Sequence, residues 1–301
     1  MNNFHEPVLL QEVLDGLRVR PEEEYIDATL GGGGHTSGIL KLGGVVLGLD
    51  VDDEALKYVE KRFKKQISNS KLTLAKRNFR DIDKIVLEKN FVEVAGIIFD
   101  LGLSSHQINS PKRGFSFQKE GPLDMRMDQD LGVRALDLIK ILSKGELNEI
   151  FTKFGEESHA WIISNAIVRA RDLKEIKTTK NLVYVVKNEL RRKGLKTREA
   201  EANCNRKIFQ ALRIAVNDEL KTLDEALPKA LQLLKKDGKL CVISFHSLED
   251  RIVKKKFLEF EDKKMGKIIT KKPIIPTQKE IRGNSRSGSA KLRIFEKINI
   301  V

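Results

Sequence analysis

Aromatic side chains are scarce in this chain: Phe, Trp and Tyr make up 6% of it, with a single tryptophan. That argues against a surface built mainly on stacking against nucleic-acid bases. Cysteine is rarer still. Cys204 and Cys241 are far apart and form no C-x-x-C pair. A disulfide framework and a cysteine-rich zinc site are therefore not expected, and a reducing compartment is. No apolar run approaches the roughly 20 residues that a membrane-spanning helix requires. The opening residues, Met1-Asn2-Asn3-Phe4-His5-Glu6-Pro7, lack a basic segment followed by an apolar one, so no signal peptide is expected. Internal repeats are also missing. These absences leave a globular protein, expected in the cytoplasm, with no membrane partner and no metal.

Positive charge is abundant. Lysine and arginine number 56 against 43 acids, a net charge of +13 over 301 residues. A surface that basic attracts polyanions, nucleic acid first among them. The length allows one large domain or two.

The most informative stretch is Tyr25-Ile26-Asp27-Ala28-Thr29-Leu30-Gly31-Gly32-Gly33-Gly34-His35. A short β-prone run ends in four glycines, and His35 to Leu42 reads as a helix. Strand, glycine turn and helix open a nucleotide-binding α/β unit, in which the backbone turns tightly and lets a ligand lie against it. The next strand, Val45 to Leu49, ends at Asp50, 19 positions after Gly31. A carboxylate about 20 residues on can accept from both hydroxyls of a ribose. The pattern fits NAD enzymes, flavoproteins and S-adenosylmethionine methyltransferases. Consecutive rather than spaced glycines favour the last, whose cofactor has no pyrophosphate to seat.

Along the chain, Leu10, Val13, Leu14 and Leu17 have helical spacing and follow His5-Glu6-Pro7, which are placed to rim a site. A helix is expected over 53–65 with Lys57, Lys61, Lys64 and Lys65 on its outer face, then a strand over 71–75. Phe79 follows, placed either to flank an adenine ring or to fill the core. The apolar run Val94 to Phe99 reads as a buried parallel strand. It ends at Asp100, where methyl-transfer chemistry would sit beyond the strand ends. Residues 110–128 are turn-rich and mix basic, aromatic and acidic side chains. Residues 133–190 are helical without strands and read as an inserted domain. The basic segment 191–207 reads either as a phosphate-contacting loop or as a solvated linker. An α/β pattern then resumes. A strand over 239–245 leads to His246, with Ser247 and Asp250 at capping-box spacing. Two late strands are expected over 267–270 and 292–298. This divides the chain into 1–108 and 208–301, a cofactor-binding domain, and 109–207, an inserted substrate-recognition domain.

Several blocks together resemble one family. They are His5-Glu6-Pro7-Val8-Leu9-Leu10, the glycine turn to His35, Asp100-Leu101-Gly102 with Ser104-Ser105, and Arg113-Gly114-Phe115-Ser116-Phe117. Gly121-Pro122-Leu123-Asp124-Met125-Arg126-Met127-Asp128, Gly155-Glu156-Glu157, Phe209-Gln210-Ala211-Leu212-Arg213-Ile214 and Ile243-Ser244-Phe245-His246-Ser247-Leu248-Glu249-Asp250-Arg251 complete the set. In this order, over nearly the whole chain, the blocks resemble the bacterial MraW family of ribosomal small-subunit RNA methyltransferases. The resemblance implies a class I S-adenosylmethionine-dependent methyltransferase, an α/β Rossmann-like sheet with an inserted helical domain. It implies methylation of the exocyclic N4 of one cytidine in the decoding centre of 16S rRNA, with the rRNA expected as a partner within the small ribosomal subunit. Cofactor contacts carry over to Gly33, Gly34, His35, Asp50, Phe79, Asp100 and Gln107.

Chemistry suggests further roles. Cytosine N4 is a poor nucleophile, and a carboxylate accepting its proton would restore its lone pair; Asp100 and Asp124 are the two candidates. Phe115 or Phe117 are candidates to stack on an unstacked base, Arg113 and Arg126 to hold phosphates, and His246 to meet substrate. The chain departs from the family at several basic positions. Ser158-His159-Ala160-Trp161 stands where arginines are usual, and Asn284-Ser285-Arg286 replaces Asn-Pro-Arg. Competing readings are a DNA amino-methyltransferase, an NAD oxidoreductase and a non-catalytic RNA-binding protein. The first lacks its Pro-Pro-aromatic signature after Asp100, so DNA is not expected as a partner. The second lacks spaced glycines and a clear acid/base for hydride transfer.

Overall fold

The computed structural model describes residues 7–298, so His5 and Glu6 lie outside the described residues. The chain divides into two compact units, one of residues up to 104 and from 220 onward, the other of residues 105–219.

The first unit begins with α1 (Leu10–Leu17), β1 (Glu24–Asp27), α2 (Gly34–Lys41) and β2 (Val45–Asp50). It continues through α3 (Asp53–Arg62), α4 (Lys64–Ser68), β3 (Leu72–Lys76), α5 (Ile82–Glu88) and β4 (Val94–Asp100). The chain then forms the second unit from α6 (Ser105–Asn109), α7 (Ala135–Ile141), α8 (Lys144–Lys153), α9 (Ala160–Leu173), α10 (Thr179–Arg192) and α11 (Arg198–Asn217). The first unit resumes with α12 (Glu219–Leu233), β5 (Leu234–Ser244), α13 (Ser247–Asp262), β6 (Gly266–Ile268), α14 (Gln278–Gly283) and β7 (Lys291–Lys297).

The seven strands lie in the order β3-β2-β1-β4-β5-β7-β6. β1 to β5 pair in parallel, and β7 runs antiparallel to both β5 and β6. This is a Rossmann-like α/β sheet with one antiparallel strand. Successive side chains point to opposite faces of a strand, and both faces are buried. Leu47 and Leu49, Ile97 and Phe99, Leu240 and Val242 join one core with α5, α12 and α13. Val46, Ile98, Cys241 and Ile243 join the other, with α1 and α3. The chain order reverses between β1 and β4, where doubly wound sheets open a crevice at the carboxyl ends of the strands.

Several expectations need correction. The helix expected over 53–65 breaks at Phe63, whose ring is buried and whose backbone leaves the helical region. The segment 191–207 is neither loop nor linker beyond 197. Thr197 caps α11 by accepting from the Ala200 N–H, Cys204 and Asn205 are buried, and Arg191 pairs with Glu201 at 2.6 Å. A domain boundary at 207 would cut α11 in its middle. The unit ends at 219 instead, and it begins at 105 rather than 109. The cap of α13 is His246 with Glu249, one residue earlier than Ser247 with Asp250. Asp250 is engaged elsewhere, in a two-pronged pair with Arg293 at 2.7 and 3.1 Å.

In the second unit, residues 111–128 are irregular but tightly held. Arg113 is buried, and its guanidinium donates to the carbonyls of Arg126 and Met127 at 3.1 and 2.8 Å. Asn217 of α11 donates to the Met125 carbonyl and accepts from the Met127 N–H, at 2.8 and 2.7 Å. The buried Glu157 accepts from the backbone and ring nitrogens of His159, both at 2.9 Å, and lies 3.7 Å from Lys207. Burial works to raise its pKa, and those partners more than offset it.

Gly114 makes the loop possible. Its φ is +69°, and a Cβ there would meet the Pro122 carbonyl oxygen at 2.1 Å. Gly114→Ala should therefore destabilise the second unit by about 2–4 kcal/mol, through backbone strain and overlap together. Urea unfolding followed by hydrogen exchange in 111–128 measures this; wild-type stability would mean that the loop does not hold this turn.

Candidate active site

The site grows from the carboxyl ends of three neighbouring strands in the first unit. Asp27 of β1 pairs in register with Gly48 of β2 and Ile98 of β4. Asp50 and Asp100 each lie two residues further along those flanking strands. The two acids are thus separated by two strand spacings, about 10 Å, with the chain leaving β1 between them.

That chain is the glycine turn. Gly33 sits at φ +71° and caps α2, a left-handed conformation that side chains rarely adopt. A Cβ there would also meet the Phe63 ring at 2.8 Å. The turn is pinned to β2 by Gly31, whose N–H donates to Asp50 Oδ2 at 2.8 Å; the other oxygen accepts from the Asp52 N–H at 2.9 Å. It is pinned to β4 by Thr29, whose hydroxyl oxygen accepts from the Asp100 N–H at 2.6 Å. Behind it, Arg62 donates to the Gly32 carbonyl at 2.7 Å.

Desolvation dominates the electrostatics. Burial pushes the Asp50 carboxyl from its ordinary 3.8 up to about 6, against the pull of the Asp52 and Gly31 hydrogen bonds. Asp27 is fully buried and is also pushed up by burial. Nearby His35, the Thr36 hydroxyl at 2.7 Å and the Thr29 N–H at 3.3 Å work the other way. His35 is buried, with Nε2 at 3.0 Å from the Val8 carbonyl and Nδ1 at 3.6 Å from Asp100 Oδ2. Phe79 stands half-buried just after β3, its ring edge-on to Phe99 at 5.3 Å. Asp27 and Thr29 were not singled out from the sequence as site residues. Their position at the end of β1, inside the glycine stretch, was the available signal.

The residues of the second unit divide differently. Gln107 is buried in α6. Asp124 makes a two-pronged pair with Arg126, at 2.9 and 2.8 Å, while Arg126 also donates to the Gln129 and Leu131 carbonyls. Burial raises the Asp124 pKa, but the hydrogen bonds and charge of Arg126 win and hold it below the usual carboxylate range. Asp124 is thus a weaker base than an ordinary carboxylate, held charged by Arg126. Arg113 and Arg126 are committed to carbonyls and to Asp124, not held out for phosphates. Phe115 is buried beside Arg113 and is not exposed for stacking. Phe117 is half-buried, edge-on to Phe209 at 5.9 Å. In the first unit, His246 has a structural task. Its Nδ1 accepts from the Glu249 N–H at 3.3 Å, so the ring caps α13.

Comparison with known proteins supplies the family. The model of the MraW methylase family matches residues 2–298. The chain belongs to the MraW methylase family. It is a methyltransferase, and its methyl donor is S-adenosylmethionine. A ribosomal RNA small subunit methyltransferase H from Halothermothrix orenii is 44% identical over 316 residues, covering 98% of each chain. Another protein of that name, from Fusobacterium nucleatum, is 41% identical over 315 residues, covering 99% of this chain and 98% of its own. Among solved structures, an rRNA methylase from Streptococcus thermophilus covers 96% of each chain with 13% identity and a TM-score of 0.45.

The strand ends fit this donor. Its sulfonium and amino group are cationic, and buried Asp27 stands between half-buried Asp50 and Asp100, where cations would offset the desolvation of Asp27 and Asp50. A carboxylate placed as Asp50 is can accept from ribose hydroxyls. Because hydroxyl donors favour the ionised form, affinity for S-adenosylhomocysteine should fall as Asp50 is protonated, by up to about tenfold per pH unit below 6. The sign for stability is opposite. A carboxyl whose folded pKa is raised disfavours the fold as pH rises from 3.8 to about 6. Asp50→Asn should therefore flatten that fall in ligand-free melting temperature while weakening the product's binding. Calorimetry and melting across pH 4.5–7.5 check both, and an unchanged pH profile of binding in the variant would remove Asp50 from the site.

Proposed function

We propose that this enzyme transfers the methyl group of S-adenosylmethionine to the exocyclic N4 of a cytidine in the decoding centre of 16S rRNA, acting in the cytoplasm on the small ribosomal subunit. The observation that carries the donor half is the acid floor of Asp27, Asp50 and Asp100 around the glycine turn. The acceptor half rests on the small-subunit rRNA named for the relatives and on surface charge. In α3 and α4, Lys57, Lys61, Lys64 and Lys65 are all exposed, and none forms an ion pair among the described residues. An unpartnered row of lysines suits a phosphate backbone.

S-adenosylmethionine supplies a methyl already activated on sulfur, so the protein's task is alignment, exclusion of water and removal of one proton. Asp50 accepts from the ribose hydroxyls, and Gly33 lets the backbone lie close. Phe79 flanks the adenine. Asp100, beside the Thr29 and His35 that hold it, accepts the N4 proton as the new N–C bond forms and the C–S bond breaks. Its partner candidate, Asp124, is neutralised by Arg126 and is left out of this step. Gln107 stays among the proposed cofactor contacts and Phe117 among the base contacts, and residues 105–219 are proposed as the substrate-recognition unit.

The deciding experiment is transfer from labelled S-adenosylmethionine to small subunits lacking this modification, with nucleoside analysis of the product. N4-methylcytidine is expected. Transfer to another position, or none despite measured cofactor binding, would overturn the proposal. Asp100→Asn should reduce turnover by at least about 10²-fold if it takes the proton, and near-normal turnover would exclude it from that role. Replacing the four lysines by glutamine should lower the salt slope of RNA binding by about 3, with S-adenosylhomocysteine affinity unchanged; an unaltered slope would place the phosphates elsewhere.

A further inference from the structure

The segment Thr277-Gln278-Lys279-Glu280 has the spacing of a capping box, in which the acid three residues after the cap reaches back to the cap's own N–H. Only half of it forms. The Glu280 N–H donates to the Thr277 hydroxyl at 3.2 Å, but the Glu280 carboxylate turns away. Its Oε1 accepts from the N–H of Leu9 at 2.8 Å, a contact across 271 residues of sequence.

Leu9 is an unusual residue to be held. It caps α1 in the left-handed region, at φ 53°, without a capping side chain. That conformation is strained for leucine, and an outside acceptor stabilises it. A carboxylate also suits the positive end of α1. Leu9 is fully buried, in the same core as Val8, Ile274 and Ala290, so the late segment and the early one pack together.

What Leu9 holds is the roof of the glycine turn. Val8, one residue before, offers its carbonyl to His35 Nε2 at 3.0 Å, and Pro7 lies where a Cβ on Gly34 would meet it at 2.8 Å. A carbonyl can only accept, so Nε2 is a protonated nitrogen, and Nδ1 is the one facing Asp100 at 3.6 Å. The contacts therefore run from Glu280 to Leu9, from Val8 to His35, and from His35 to Asp100.

We propose that Glu280 is a positioning residue that latches the N-terminal arm over the glycine turn and thereby sets the orientation of His35 toward Asp100. The inference rests on the cofactor reading of that turn. Glu280 touches neither cofactor nor substrate; it acts through the backbone of residues 7–9.

The test compares the full-length wild type with Glu280→Ala and Glu280→Gln. Glutamine keeps an oxygen that accepts from the Leu9 N–H, whereas alanine does not. In the ligand-free protein, nitrogen-15 shifts of the His35 imidazole should show protonated Nε2 for the wild type and glutamine variant, and lose that signature in the alanine variant. S-adenosylhomocysteine affinity should fall by about tenfold in the alanine variant, the scale of one lost hydrogen bond to a charged group, and return to within about twofold with glutamine. Should alanine not fold, Glu280→Asp, which withdraws the oxygen but keeps the charge, takes its place with the same expected loss. Wild-type His35 shifts in the alanine variant, or a glutamine variant as impaired as alanine, would overturn the latch. Absence of binding by the wild type would instead overturn the cofactor reading, because the His35 signature is read without ligand.

Discussion

The hydrogen bond from the Gly31 N–H to the Asp50 carboxylate joins the glycine turn to the neighbouring strand, and the geometry of the site follows from it. Parallel pairing alone sets β1 and β2 side by side, but it does not fix how the chain leaves β1. Fixing the first glycine to Asp50 sends the turn across the crevice end of the sheet. Gly33 then completes it in a conformation suited to glycine. The arrangement has a cost, since burial disfavours the charge on Asp50 and on Asp27. Backbone N–H groups and hydroxyls of the protein itself offset part of that cost. Ligand hydroxyls and cationic groups can offset the rest, so the same desolvation that weakens the free protein supplies a driving force for binding.

The second unit uses its charges in the opposite way. Arg113, Asp124 and Arg126 sit in a segment whose mixed composition looks like a binding loop, yet each is consumed in holding that segment together. An arginine with four of its N–H groups committed to carbonyls and a carboxylate, as Arg126 is, has little left for a phosphate. The irregular backbone of 111–128 explains why. It has few ladder bonds of its own, and buried peptide groups need partners. Side chains supply them, and so the segment carries polar residues for reasons of folding.

The sheet was legible because its strands are continuous apolar runs ended by acids and glycines, signals that both-face burial imposes. Five expected strand positions coincide with strands of the parallel set, and the glycine turn and α2 follow as read. The helix α5 escaped notice because its seven residues are too few for a clear period. The start of α11 was hidden by its basic surface: Cys204, Asn205 and Ile208 are buried there among charged neighbours, a mixture that reads as linker. The cap was misplaced by one residue, on Ser247 and Asp250, because Ser247 is the stronger capping type by propensity. Tertiary contact overrode it: Asp250 pairs with Arg293 of β7, a strand 43 positions later, leaving Glu249 to close the cap. In the site itself, residue types at strand ends were readable, while the state of each carboxylate depends on partners distant in sequence.

The choice between a cationic and an anionic cofactor is an electrostatic one, and it is made by depth. Glycine turns at a helix start commonly seat phosphates, because the N–H groups and helix dipole favour negative charge. Here Asp27, Asp50 and Asp100 stand around that same helix start, and one N–H of the turn is already taken by Asp50. A pyrophosphate placed there would meet one buried and two half-buried carboxylates in a poorly screened environment, where like charges repel more strongly than in water. A sulfonium and an ammonium meet them with the opposite sign. The exposed lysines of α3 and α4 belong to the same unit but lie in solvent, where salt screens their field within about 10 Å. The unit thus presents acid in its depth and base on its surface, and each sign matches one of the two molecules that methylation of an RNA must bring together.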